Sequence, residues 1–150
     1  MYERILVPFD GSPTSECGLV EAVGLAAAMK SRVVILTVAT GFVGAVEMAS
    51  VRSYDESAAE TLAACTKLLD SAAGRATEVG VECDKAIVDS RTRSVAQVIL
   101  EEAAARECDL IVMGTHGRRG MSRMVLGSDA EAVLRGADVP VLLVRLPAKT

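Results

Sequence analysis

Five short runs of β-branched and other apolar residues alternate with alanine-rich segments of helical spacing, and no other feature of the chain constrains its fold as tightly. The runs are Arg4 to Phe9, Arg32 to Ala39, Val81 to Val88, Asp109 to Met113 and Val139 to Arg145. Their Val and Ile content reads as strand. Four are near-continuous, as in strands covered on both faces. Val81 to Val88 instead alternates polar and apolar residues, as an edge strand with one wetter face does. Between them, Thr14 to Lys30 follows Ser12-Pro13, a cap and first helical position. Ser53 to Val79 carries Leu62, Cys65 and Leu69 at helical spacing, with Gly80 as its stop. Thr92 to Arg106 carries Val95, Ile99 and Ala103, and Ser128 to Leu134 closes before Gly136. The string βαβαβαβαβ predicts an α/β fold, a doubly wound parallel sheet with helices on both faces. Such sheets hold ligands beyond the carboxyl ends of their strands, where strand order reverses.

The 150 residues suit one domain, 1–150, large enough to bury a core without a staple. A net charge of −4 and a pI near 5.1 oppose general nucleic-acid binding. With 3% aromatics and no Trp, stacked-base platforms and aromatic sugar clefts are excluded as main working parts. Mean hydropathy is +0.35, yet the most apolar stretch, Val33 to Met48, contains Thr37, Thr40, Gly41, Gly44 and Glu47. It is shorter than the roughly 20 apolar residues of a membrane span, so no membrane partner is expected. The opening Met1-Tyr2-Glu3-Arg4 is unlike a signal peptide, so the expected compartment is the cytoplasm. Cys17, Cys65, Cys83 and Cys108 form no CxxC and read as reduced, partly buried thiols; no protein metal site is expected. The irregular stretch Thr40 to Val51 reads equally as a lid over the ligand end or as a packed crossover.

Chemistry concentrates in Gly114 to Ser128, between the fourth strand and the last helix. Gly114 and Gly117 leave backbone N–H groups open to an anion. Gly127-Ser128 opens a helix, where free N–H groups and the helix dipole favour phosphate; Ser128 adds a hydroxyl donor or caps the helix. Arg118, Arg119 and Arg123 concentrate positive charge in an otherwise acidic chain, as an anion site or as a solvated loop. Neither GxxxxGK[ST] nor a GxGxxG after the first strand is present. Asp10-Gly11-Ser12 stands there instead, and Asp10 reads equally as a ligand for ribose hydroxyls or as a cap for the first helix. His116, the only histidine, has no legible nucleophile or orienting partner and reads most simply as a loop imidazole. Met113, Met121 and Met124 need no metal to explain them. No catalytic residue is assigned.

Together these features resemble the universal stress protein family, over essentially the whole chain. The family's nucleotide-binding subgroup carries Gly-x2-Gly-x9-Gly-Ser/Thr, here Gly114, Gly117, Gly127 and Ser128. Asp-Leu-Ile-Val-Met-Gly-Thr-His-Gly before it, Val-Pro-Val-Leu-Leu-Val after it, and the opening Ile-Leu-Val-Pro-Phe-Asp-Gly-Ser are similar to the family as well. The resemblance implies a three-layer, Rossmann-like fold of the adenine nucleotide alpha hydrolase type, strand order 3-2-1-4-5. It implies ATP, with Mg²⁺ carried on its phosphates, at the switch between strands one and four. Asp10 then reaches the ribose or adenine side, with Pro8 and Phe9 beside it, and Val38 offers backbone groups and an apolar wall to adenine. Met113, Gly114, His116 and Gly117 line the ribose and phosphate approach; Gly127, Ser128, Asp129 and Ala130 close around the phosphates. A homodimer through strand five, Val139 to Arg145, is implied too, as is a regulatory protein partner of unknown identity.

Three departures stand out. Asp129 occupies a place where an apolar residue is common, and Ala130 one where a second hydroxyl is common. A carboxylate there repels phosphate by ~1 kcal/mol or more, ligates Mg²⁺, or simply favours the helix N-terminus. The loop Asp89-Ser90-Arg91-Thr92-Arg93 lacks the Gly-x-Pro often found after strand three, leaving its shape open. The expected function is nucleotide-dependent regulation in a stress response, without dedicated enzyme activity. The alternatives are a nucleotide-free interaction protein on the same fold and a slow ATP hydrolase.

Overall fold

The computed structural model describes residues 1–40, 51–116 and 126–147, and of 51–55 the backbone only. Its elements are β1 (Arg4–Pro8), α1 (Pro13–Met29), β2 (Arg32–Ala39), α2 (Val51–Glu78), β3 (Cys83–Asp89), α3 (Val95–Ala105), β4 (Leu110–Gly114), α4 (Ser128–Gly136) and β5 (Val141–Val144). The strands form one sheet in the order β3-β2-β1-β4-β5, every neighbouring pair parallel. Both the expected fold class and the expected order are met.

Strand periodicity sorts the core onto the two faces. Ile5, Val7, Val33, Ile35, Leu110 and Val112 pack against Leu19, Ala22 and Ala26 of α1 and Leu69, Ala72 and Ala76 of α2. Leu6, Val34, Leu36, Ile111 and Met113 face the other way, against Ile99 and Ala103 of α3 and Ala130 and Val133 of α4. Alanine on the inner helix faces keeps the layers close, while each fully buried Val, Leu or Ile contributes about 1.5–3 kcal/mol of transfer free energy.

Three helices end in the same way, which sets where the next strand begins. Lys30, Gly80 and Glu107 have φ of 59°, 77° and 53°, in the left-handed region. The following N–H groups of Ser31, Val81 and Cys108 then bond back to the carbonyls of Ala26, Ala76 and Ala103 at 3.0, 3.0 and 2.8 Å. Burial pushes the Cys108 thiol up to about 11, and burial followed by the Asp84 carboxylate raises Cys83; both are protonated at neutral pH.

The structure departs from expectation at three places. β5 reads as covered on both faces, yet none of its residues is buried and Leu142 is 36% exposed. Only the C-terminal half of the α2 stripe reaches the sheet: Leu69 is buried, while Leu62 is 52% exposed. Gly136 does not stop α4 but stays within it, where a Cβ would come 2.8 Å from Leu100 Cδ1 of α3. That contact is the end of a flexible side chain, which can yield, and Gly136 is the last residue of the helix. Among the described residues no helix is long and apolar enough to cross a membrane.

Candidate functional site

The strand-order switch lies between β1 and β4, and a proline opens it. Backbone groups of alternate strand residues face opposite neighbours. Phe9 N–H donates to the Leu36 carbonyl of β2 at 2.8 Å, so the Pro8 nitrogen lies on the β4 side, with no hydrogen to give. The β1–β4 register stops at Leu6↔Ile111, whereas β1–β2 runs on to Pro8↔Leu36 and β4–β5 to Gly114↔Val144. The crevice at the carboxyl ends is thus built into the first strand.

The first turns of α1 lie against the end of β4. Gly11, with φ 77°, turns the chain out of β1, and the Asp10 carboxylate accepts from Ser12 N–H at 2.9 Å. Ser12 then caps α1, its hydroxyl accepting from Ser15 N–H at 3.3 Å. Asp10 is therefore not the cap itself but forms the turn that leads into it. A Cβ on Gly114 would lie 2.6 Å from the backbone C and O of Thr14, and one on Gly18 would lie 3.2 Å from Gly114 N. The absent side chain of Gly114 therefore lets α1 approach. Sequence reasoning had assigned its bareness to an anion.

Beyond β4 the chain is tied at several points. Thr115 N–H donates to the Val144 carbonyl at 2.9 Å, and the Thr115 carbonyl accepts from Gly127 N–H at 2.8 Å. The Thr14 hydroxyl donates to the His116 carbonyl, and Thr115 Oγ1 stands 2.9 Å from His116 Nδ1. These threonines were missed in the sequence. The only signal for Thr14 was its place just inside a helix start, four residues before an inward-facing glycine. Gly117, Arg118, Arg119, Met121, Ser122, Arg123 and Met124 lie outside the described residues, as does the interior of the Thr40 to Val51 stretch.

The start of α4 differs from the other helix starts with a resolved cap. Ser12 caps α1, and Ser94 closes a capping box with Gln97 at α3, through bonds of 3.1 and 2.8 Å. At α4 the cap position is Gly127, with no side-chain cap bond, and Ser128 is the first helical residue, so its expected alternative role as cap is not met. Gly127 N–H is itself consumed by Thr115, while Glu131 N–H closes the first turn on the Gly127 carbonyl at 2.9 Å. The N–H groups of Ser128, Asp129 and Ala130 belong to the turn that a helix cannot satisfy from within. Ser128 and Asp129 are exposed and Ala130 is buried. Asp129 and Glu131 bring negative charge to this first turn, as the dipole favours.

The other wall is formed by β1, β2 and the loop after β3. The buried Thr37 hydroxyl donates to the Phe9 carbonyl at 2.8 Å, and Phe9 lies under the Arg75 guanidinium, 5.9 Å from the ring centroid. Arg75 also pairs with Glu16 at 2.5 Å, joining α2 to α1. Val38 and Pro8 are half-buried at the strand ends. The Asp89–Arg93 loop obtains its shape without Gly-x-Pro. Asp89 Oδ1 accepts from Arg91 N–H at 2.9 Å, with Arg91 at φ 51°, and Arg93 Nη2 donates to the Asp89 carbonyl at 2.9 Å. Ser90 N–H binds the loop to the Ala39 carbonyl at 3.0 Å. The structure thus gathers Pro8, Phe9, Asp10, Val38, Met113, Gly114, His116, Gly127, Ser128, Asp129 and Ala130 at the strand ends and the helix start that follows them.

A family model, the universal stress protein family, matches residues 1–145. This chain belongs to the universal stress protein family. Among its relatives, universal stress protein MJ0531 of Methanocaldococcus jannaschii is 32% identical, covering 99% of this chain and 85% of that protein. A universal stress protein family structure from Burkholderia pseudomallei is 32% identical, with a TM-score of 0.75 over 98% of this chain and 97% of its own. The hypothetical protein MJ0577 shares the fold of this chain with a TM-score of 0.84, at 24% identity and 99% coverage of both chains. Two further universal stress proteins were solved with nucleotides. One holds cAMP, with TM-score 0.71 and 23% identity over 97% of this chain and 98% of its own. The other, from Archaeoglobus fulgidus, holds dAMP, with TM-score 0.69 and 20% identity over 95% and 98%.

Proposed function

We propose that this chain works as one domain that binds ATP and serves as a nucleotide-dependent regulator in a stress response. The observation that carries this reading is the start of α4: a helix N-terminus without a side-chain cap, placed at the strand-order switch. Anions are stabilised there by free N–H groups and by the helix dipole. The nucleotide complexes of two structural neighbours support adenine nucleotides as the class of ligand.

In this reading Ser128, Asp129 and Ala130 offer N–H groups to the phosphates, Ser128 adds its hydroxyl, and Gly127, whose Cβ would lie 2.9 Å from the Thr115 carbonyl, seats the helix start against the end of β4. Gly117 contributes from outside the described residues. Met113, Gly114 and His116 line the ribose side, and Asp10 meets the ribose or adenine from β1. Pro8, Phe9 and Val38 supply an apolar wall for adenine. Mg²⁺ would travel on the phosphates, and Asp129 serves the helix dipole. The work is done in the cytoplasm.

We further infer a homodimer through β5. The two sheet edges are built differently. At β3, Arg32 pairs with Glu82 and Asp84 at 3.0 and 3.5 Å, and Lys85 with Asp70 at 2.6 Å, so charge blunts the edge. β5 presents Val141, Leu142, Leu143 and Val144 with no ion pair among the described residues, followed by the exposed Arg145 and by Leu146 at 50% exposure. The same edge suits a nucleotide-free interaction protein.

Calorimetric titration of nucleotide-stripped protein with ATP and Mg²⁺ separates the two. Saturable binding at micromolar concentration is expected. A folded protein giving no heat up to millimolar ATP would favour the interaction protein.

A further inference from the structure

Two buried hydroxyls converge on His116 from different elements, and the nucleotide reading leaves them without a task. Thr14 and Thr115 are 5% and 4% exposed. The Thr14 hydroxyl donates to the His116 carbonyl, and Thr115 Oγ1 stands 2.9 Å from Nδ1 of the same residue. Ser12 Oγ lies 3.4 Å from Thr14 Oγ1. A hydroxyl has one proton, and that of Thr14 is committed to the carbonyl, so Ser12 is the donor in this pair. The cap of α1, Thr14 and the His116 peptide therefore form one relay between α1 and the end of β4.

Helix formation does not require this hydroxyl. Ser12 already caps α1, and threonine is a modest helix former. The approach of α1 is set by Gly114 and Gly18, whose added Cβ atoms would meet backbone at 2.6 and 3.2 Å. What the hydroxyl adds is a fixed direction for the His116 peptide as the chain leaves the sheet.

We propose that Thr14 is a positioning residue of the nucleotide site, acting through His116. It holds the His116 carbonyl and so orients that residue toward the ribose and phosphates. This inference rests on the nucleotide reading above. A packing role and a positioning role make opposite demands at this place. Thr14→Val keeps the volume and loses the donor; Thr14→Ser keeps the donor and loses the methyl.

The experiment is calorimetric titration of wild type, Thr14→Val and Thr14→Ser with ATP and Mg²⁺, with thermal midpoints measured alongside. Positioning predicts a Kd raised about tenfold in Thr14→Val and within about threefold of wild type in Thr14→Ser, since one tenfold step matches one hydrogen bond. Equal affinity of Thr14→Val and wild type would overturn the inference. So would a larger loss in Thr14→Ser than in Thr14→Val, which is the mark of packing. If Thr14→Val shows no cooperative melt, Thr14→Ala against Thr14→Ser decides, because both lack the methyl. A Kd ratio near ten supports positioning and a ratio near one refutes it. A wild type that binds no ATP removes the nucleotide reading, and this inference with it. A wild type that binds, beside variants that bind alike, removes the role of Thr14 alone.

Discussion

α3 and α4 lie on the same face of the sheet, yet their N-termini are built in opposite ways. At α3, Ser94 and Gln97 satisfy each other's backbone N–H groups, so the helix start is closed by its own sequence. At α4 a glycine holds the cap position and makes no side-chain cap bond. A closed start contributes stability and offers nothing to a ligand. A start capped by glycine gives up only a few tenths of a kcal/mol relative to serine and leaves its first N–H groups without a side-chain acceptor. Under the proposed function, the two helices separate a stabilising role from a binding role by the residue type at the cap.

The difference breaks most severely at Gly114, which sits beside the residue that anchors α4. Gly114→Ala would set a Cβ 2.6 Å from Thr14 backbone atoms. It should destabilise the fold by about 2–3 kcal/mol, read as a shifted urea midpoint, because overpacking against backbone has no flexible side chain to yield. An unchanged midpoint would show that the α1–β4 contact yields without cost.

Next in size is an exchange of roles between two serines. Ser94→Ala should cost about 1 kcal/mol in urea unfolding and leave ATP affinity unchanged. Ser128→Ala should leave stability within about 0.5 kcal/mol and weaken ATP binding several-fold. If both substitutions affect stability alone, α4 is not a binding helix.

The C-terminus of α3 sharpens the comparison from the other side. Glu107 has φ 53°, where a side chain costs about 1 kcal/mol. Glu107→Gly should raise the unfolding free energy by about 1 kcal/mol, read as a higher urea midpoint, and leave ATP binding untouched. The smallest effect is at Asp129. Asp129→Asn should lower stability by about 0.3–1 kcal/mol, through loss of a favourable charge at the helix start, and tighten ATP a few-fold by relieving repulsion. Weaker ATP binding would make Asp129 a Mg²⁺ ligand instead.

The layers were legible because strand and helix periodicities differ and the alternation here is unbroken. Four features were not legible, for separate physical reasons. β5 reads as a covered strand from composition, but composition does not tell a strand covered by helices from one left at an edge. Leu62 shares the helical stripe of Leu69, but the stripe does not say where α2 outruns the sheet. Gly136 reads as a stop but is the last residue of α4, and Gly114 reads as an anion cradle while its missing Cβ also lets Thr14 of α1 approach, which only the packed structure reveals. Thr14 carries only its place just inside a helix start, and nothing local points to its partner, His116, 102 residues away. At the site, the glycine and serine of the α4 start were legible from spacing, and the asymmetry of its capping was not.

The most direct measurement follows backbone amide resonances of isotopically labelled protein as ATP with Mg²⁺ is added, with adenosine as the control. Binding of phosphate at the uncapped helix start predicts large, saturable shifts of the Ser128, Asp129 and Ala130 amides with ATP, weak shifts there with adenosine, and none at Val95 and Gln97 of α3. Saturation with ATP that leaves those three amides unmoved, or moves the two helix starts alike, would contradict it.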